Sequence, residues 1–157
     1  MTPLIFLNLC LVLHITGFTM MAGSVLADFS IYRQLNKYLI ADKQRAVTIL
    51  EGPAKLPVFI GVGAVLLILT GVGMVSIFRE SVTGMLWFRV KMILVLLVVL
   101  NGVVLARPGA IRLRAALLQN SVQDNRRIEG LGRNLRNIYI LQLILFLSIF
   151  ILSVFRP

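Results

Sequence analysis

Residues 4–27 read LIFLNLCLVLHITGFTMMAGSVLA, a run without a single Asp, Glu, Lys or Arg. A helix over such a run is roughly 36 Å long at 1.5 Å per residue, enough to cross a hydrocarbon core of about 30 Å. No cation precedes Arg33 and the run outlasts a typical secretory-signal core, so it reads as a retained spanning helix. Three more apolar runs follow, Leu56 to Phe78, Leu86 to Ala106 and Ile138 to Phe155, the third of the four runs being interrupted near its start by Arg89 and Lys91. The sequence therefore predicts an all-α fold: a four-transmembrane-helix bundle with short amphipathic cytoplasmic helices, residues 1–157 forming one integral membrane domain.

Composition points the same way. With 59% of the 157 residues apolar and 14% charged, a soluble domain of this size could not hide its apolar surface. Cys10 is the single cysteine, which excludes a disulfide scaffold and a thiolate metal cluster.

An even number of spans puts both termini and the Phe78 to Leu86 turn on one side, and segments 28–55 and 107–137 on the other. Those two segments hold twelve of the sixteen cations against five of the six acids, which leaves +7 there and +3 opposite. By the positive-inside rule both long segments face the cytoplasm and both termini face outward. The net charge of +10 is then chiefly a topology signal. A nucleic-acid partner would call for a folded basic domain or interleaved aromatics, and the stretch from Arg107 to Asn137 reads as neither. The expected partners are the bilayer itself and anionic lipid headgroups at Arg112, Arg114, Arg126 and Arg127, each worth about 1 kcal/mol near the surface.

Both segments look partly helical. Ile31 to Ile40 continues the first helix beyond the membrane to a break near Ala41 and Asp42, and Lys43 to Leu50 ends before Gly52-Pro53. After Arg107-Pro108, helical spacing of Ile111, Arg114, Ala115 and Leu118 predicts a short helix lying on the membrane surface.

Polar side chains inside the spans are costly there and so become candidate sites. His14 falls about 15 Å below the outer end of the first helix, near mid-membrane. At 100° per residue it shares a stripe with Cys10, Gly17, Met21, Ser24 and Asp28, whereas Ile5, Leu9, Val12 and Ile15 lie elsewhere, so the stripe faces protein. Gly17, one turn below His14, leaves room for a flat ligand or a close helix. The plain alternative is a histidine hydrogen-bonded to a neighbouring helix. Lys91 enters about 7 Å deep, from where it can snorkel outward or reach the depth of His14. Asn101 and Gly102 lie toward the cytoplasmic end, where a helix-to-helix hydrogen bond is the natural use. The glycines of the second span, Gly61, Gly63, Gly71 and Gly73, suit close packing. Tyr139 and Gln142 mark the fourth span, which is otherwise apolar. No zinc-type HExxH spacing, paired intramembrane carboxylates or Gly-rich phosphate loop occurs.

Leu13-His14-Ile15-Thr16-Gly17 with Met21-Ala22-Gly23, the segment from Trp87 through Lys91 to Leu96, and the Leu69-Thr70-Gly71 step together resemble the HemJ-type and CopD-type membrane proteins over roughly residues 10–107. The resemblance implies a haem b or porphyrin site in a bacterial inner (cytoplasmic) membrane protein, with a redox role of protoporphyrinogen-oxidase type if the chain is an enzyme. It makes His14 the axial ligand and Lys91 a partner of porphyrin carboxylates or a proton carrier, with Gly17 and Met21 beside the cofactor. With no second histidine, the other axial position falls to Met or to another copy. The CopD-type side implies copper instead, at His14, Met20 and Met21. The alternative from another class is a non-enzymatic membrane component without cofactor, an oligomeric pore, transporter-like protein or partner subunit. In it His14 and Lys91 serve packing or proton sensing, and a homo-oligomer seam runs along the Gly-rich face of the second span or along the fourth.

Overall fold

The computed structural model describes residues 3–38, 45, 46, 48, 49, 56–82, 84–118 and 125–155, and these form helices and their junctions. Helix α1 spans Pro3–Tyr38, α2 Leu56–Val82, α3 Leu86–Leu100, α4 Arg107–Leu118 and α5 Asn125–Val154. A π-helical segment, Asn101–Ala106, joins α3 to α4 without a break. Four helices are long and apolar enough to cross a membrane: Leu4–Tyr38, Leu56–Ile77, Leu86–Leu118 and Arg126–Val154.

The first helix continues past its apolar run to Tyr38, as its sequence predicts. The expected break near Ala41 and Asp42, the Gly52-Pro53 stop and most of the Lys43 to Leu50 helix lie outside the described residues, of which Arg45, Ala46, Thr48 and Ile49 are helical. The third span departs from the reading at Pro108. Proline lacks an amide hydrogen and its ring crowds the carbonyl four residues back, which normally ends or kinks a helix. Here the turn ahead of it is widened, with the Arg107 N–H donating to the Gly102 carbonyl five residues back, so the chain stays helical to Leu118.

The face read from sequence for the surface helix, Ile111, Arg114, Ala115 and Leu118, is exposed in α4. Leu113, Ala116 and Leu117 are the buried positions of α4, whereas Ile111 and Leu118 are 61% and 60% exposed. The buried set turns toward α5, where a Cβ on Gly109 would come within 3.0 Å of a Leu135 methyl. Leu113, Ala116 and Leu117 repeat the spacing of Ile111, Arg114 and Ala115 two positions later, about 200° round the helix and so on its opposite face.

Helix α2 lies along α1, α1 also packs on α5, and α5 carries α3, the π segment and α4. Among the described residues no extended contact joins α2 to α3, and the bundle is open along that side. Within the spans most large apolar side chains point outward, as in Val12, Ile68, Leu96 and Ile144. Lipid is as apolar as they are, so no hydrophobic force draws them together. The largest fully buried side chains are Leu35, Leu113, Ile128 and Leu135, all outside the apolar runs. Those side chains sit among the arginines of the basic segments, and where such segments meet water, burial stabilises the fold. The parts of α1, α4 and α5 beyond the spans thus form a packed helical extension where sequence suggested loops and short surface helices.

The fourth span is a central packing helix. Phe146 and Phe150 of α5 meet Phe18 of α1 edge-on and stacked, with ring centroids 5.7 and 6.2 Å apart. Of the two surfaces expected to form an oligomer seam, Gly63, Gly71 and Gly73 lie against α1 while Gly61 is exposed, and α5 packs on α1 and α3 while its Leu141, Ile144 and Leu147 are exposed.

Candidate functional site inside the bundle

The α1 stripe faces protein. Cys10, Met21 and Ser24 are each 7% exposed and Gly17 is buried, while Ile5, Leu9, Val12 and Ile15 are exposed. Where the stripe meets α2, small residues let the two backbones touch. A Cβ on Gly17 would lie 2.9 Å from the Gly63 carbonyl oxygen, and one on Gly63 would lie 2.7 Å from that of Gly17. The room expected at Gly17 for a flat ligand is therefore taken by the neighbouring helix. Met21 packs on the same crossing, its Cβ 3.3 Å from the position a Gly63 Cβ would occupy. Both residues assigned to a cofactor from sequence build the α1–α2 contact.

One turn above Gly17, His14 is half-buried and its Nδ1 is 2.9 Å from the Thr70 Oγ1 of α2. Thr70 is 5% exposed, and its hydroxyl donates to the Leu66 carbonyl at 2.5 Å. A threonine hydroxyl has one hydrogen to give. The Thr70 oxygen thus stands between the Leu66 carbonyl and the His14 Nδ1: with its hydrogen on Leu66 it accepts from Nδ1–H, and with its hydrogen on Nδ1 the ring carries its proton on Nε2. Glycines leave space around the ring: a Cβ on Gly71 would approach the His14 Cε1 only to 3.7 Å. Cys10, one turn further out, packs similarly on Gly73, whose added Cβ would stand 3.3 Å from Sγ.

Lys91 joins this group from α3. It lies on the helix face of the half-buried Leu94 and Val95 and the buried Val98, whereas Val90, Met92 and Ile93 on the other faces are exposed. Its ammonium is close enough to act electrostatically on His14. The two candidates chosen from sequence thus come together, and they do so beside the open α2–α3 side. Trp87, near the same boundary, donates through Nε1 to the Met85 sulfur at 3.0 Å, in keeping with an interfacial anchor.

A second polar set lies toward the basic end. Asn101 and Gln142, each 4% exposed, bond to one another, Asn101 donating through Nδ2 to the Gln142 Oε1. Asn101 also donates to the Ile138 carbonyl, and Gln142 to the Val98 carbonyl, both at 3.1 Å. The helix-to-helix bond expected of Asn101 is present. Nearby, Tyr32 and Tyr139 stack with centroids 5.1 Å apart, and Asp28 is close enough to act on both rings.

Thr70, read from sequence only as part of the Leu69-Thr70-Gly71 step, is the hydrogen-bond partner of His14. It is one of two hydroxyl side chains of α2 within the span, the other being Ser76, which caps back on Gly73. Matching its depth to His14 in an antiparallel pair would have singled it out. Among the described residues no three His, Cys, Asp or Glu side chains gather as a metal-binding group. An apolar groove of about 280 Å³, lined by Val90, Leu94, Ser148 and Phe155 among others, lies between α3 and α5 and holds no titratable group. Comparison of the chain with family models, with curated proteins and with solved structures finds no match.

Proposed function

We propose that this small multi-pass membrane protein holds a planar anionic cofactor of the haem b or porphyrin class, with His14 as axial ligand and Lys91 meeting a carboxylate of the ligand. The observation that supports the reading is the contact of His14 Nδ1 with Thr70, which in the Nδ1–H tautomer leaves the lone pair on Nε2. Ligating histidines are commonly oriented in this way, the second ring nitrogen being held by an acceptor. Haem supplies one-electron chemistry at its iron. The residues of this chain would fix the imidazole, compensate a propionate charge and keep water from the site. Since Gly63 fills the space at Gly17, the ligand belongs on the open side between α2 and α3, where Lys91 reaches His14. Copper has less support, because Met21 is packed into the α1–α2 crossing. The twelve cations of segments 28–55 and 107–137 support a bacterial inner-membrane orientation with the basic end in the cytoplasm and both termini outside.

Titrating the purified protein with haemin tests this reading by the Soret band. The expected result is a saturable shift that His14→Ala abolishes and that Thr70→Val weakens by roughly tenfold or more. No shift in the wild type, or the same shift in His14→Ala, removes the cofactor from the proposal.

A second reading is a non-enzymatic membrane component in which His14 joins helices. It is favoured by the fact that His14 is already hydrogen-bonded across the α1–α2 pair. In that case His14→Ala loosens the pair and no spectral change accompanies it.

A further inference from the structure

Among the described residues, three of the four seams around the spanning helices are closed. Glycine contact seals α1 against α2, Phe18 with Phe146 and Phe150 fills the seam of α1 with α5, and the Asn101 and Gln142 amides tie the end of α3 to α5. The fourth, between α2 and α3, has no extended contact, and His14 and Lys91 stand half-buried beside it. At their depth the opening has apolar rims, since every exposed side chain from Val62 to Val72 is Val, Ile or Leu, and every exposed one from Val90 to Leu105 is Val, Met, Ile or Leu. Water finds no polar lining to follow there, whereas lipid is as apolar as these side chains. The second candidate span, Leu56–Ile77, has 22 residues, little more than the roughly 20 that a crossing needs. Its whole length is therefore taken up by the bilayer, and Thr70, with its partner His14, lies inside the bilayer.

We infer that the α2–α3 opening is a lateral entrance, through which the ligand reaches His14 and Lys91 from within the bilayer. The inference rests on the cofactor reading above and adds that the ligand is drawn from the lipid-dissolved fraction. The depths of the two residues support it. Lys91 stands five residues inside the run that starts at Leu86, and His14 ten inside the run that starts at Leu4, both counted from the same side of the membrane. These depths are about 7 and 15 Å. An amphiphile resting in one leaflet has the same order, its charged end near the surface and its apolar body deeper. A propionate-bearing ring moving sideways between α2 and α3 thus meets the ammonium with its carboxylate end and the imidazole with its ring, without first turning over or crossing water.

The test uses the wild-type chain in nanodiscs and two iron porphyrins, mesohaemin and deuterohaemin, which share the macrocycle and both propionates and differ by two ethyl groups. Loading rates are read from the Soret band at equal free concentration in water, with empty nanodiscs as the blank. The ethyl groups raise partition into the bilayer, so entry from lipid makes mesohaemin load roughly tenfold or more faster. Equal rates mean entry from water and overturn the inference, leaving the cofactor reading in place. A tetrasulfonated iron porphyrin, kept out of the hydrocarbon by its charges, is expected not to load, and loading as fast as deuterohaemin overturns the inference too. No saturable shift with any of the three, or the same shift in His14→Ala, removes the cofactor reading and the entrance with it.

Discussion

Gly17 and Gly63 set the register of the α1–α2 pair, and that register brings His14 opposite Thr70. Replacing Gly63 by Ala puts a methyl 2.7 Å from a backbone oxygen that cannot yield without separating the helices. The expected cost is about 1–3 kcal/mol, measurable by steric trapping or controlled denaturation in micelles. Gly61→Ala is the matched control, since its added Cβ meets nothing within 4 Å, and it should be close to neutral. The α1 stripe was legible in sequence because helical periodicity depends on α1 alone. The partner of His14 was not, because it depends on how two helices slide past one another, and that is decided by backbone contact at two glycines among several.

At the scale of elements, α3 and α5 are joined by a polar clasp in otherwise apolar surroundings. Gln142→Leu leaves the Asn101 amide short of an acceptor and the Val98 carbonyl short of a donor. The expected loss is about 1 kcal/mol, in the range found for hydrogen bonds between membrane helices. Asn101→Leu with Gln142→Leu should recover part of it, and a double-mutant cycle in micelles gives the coupling. The use of Asn101 was readable, since a strongly polar residue in a span needs a neighbour. The continuity of α3 into α4 was not, because Arg107-Pro108 carries the local signature of a helix end. The widened turn that keeps the helix intact lies against α5.

For the whole molecule, the most fully buried side chains among the described residues lie outside the apolar runs. Leu113→Ala or Leu135→Ala opens a cavity at a position 0% or 1% exposed, and each should cost about 2–5 kcal/mol. Leu96→Ala, at a site 58% exposed to lipid, should cost far less. Hydrogen exchange should show slow amides through residues 125–137, at odds with a loop. The four spans and their charge asymmetry were plain from hydropathy. The extension was overlooked because its arginines mask a helical pattern, Ile128, Leu131 and Leu135, that is present in the sequence.

The π segment also has a consequence for chain length. A wide turn is in effect one residue inserted into an α-helix, and the insertion resets the helical phase by about 100°. That reset lets Lys91, Leu94 and Val98 on one side of it, and Leu113 and Ala116 on the other, all face inward. Residues 101–106 are therefore the place where this helix can lose one position and keep both of its packed halves. Removing the exposed Val104 together with Pro108→Ala should yield a plain α-helix and a folded protein. The same deletion at Leu96 would turn the outer half of α3, with Lys91, away from His14.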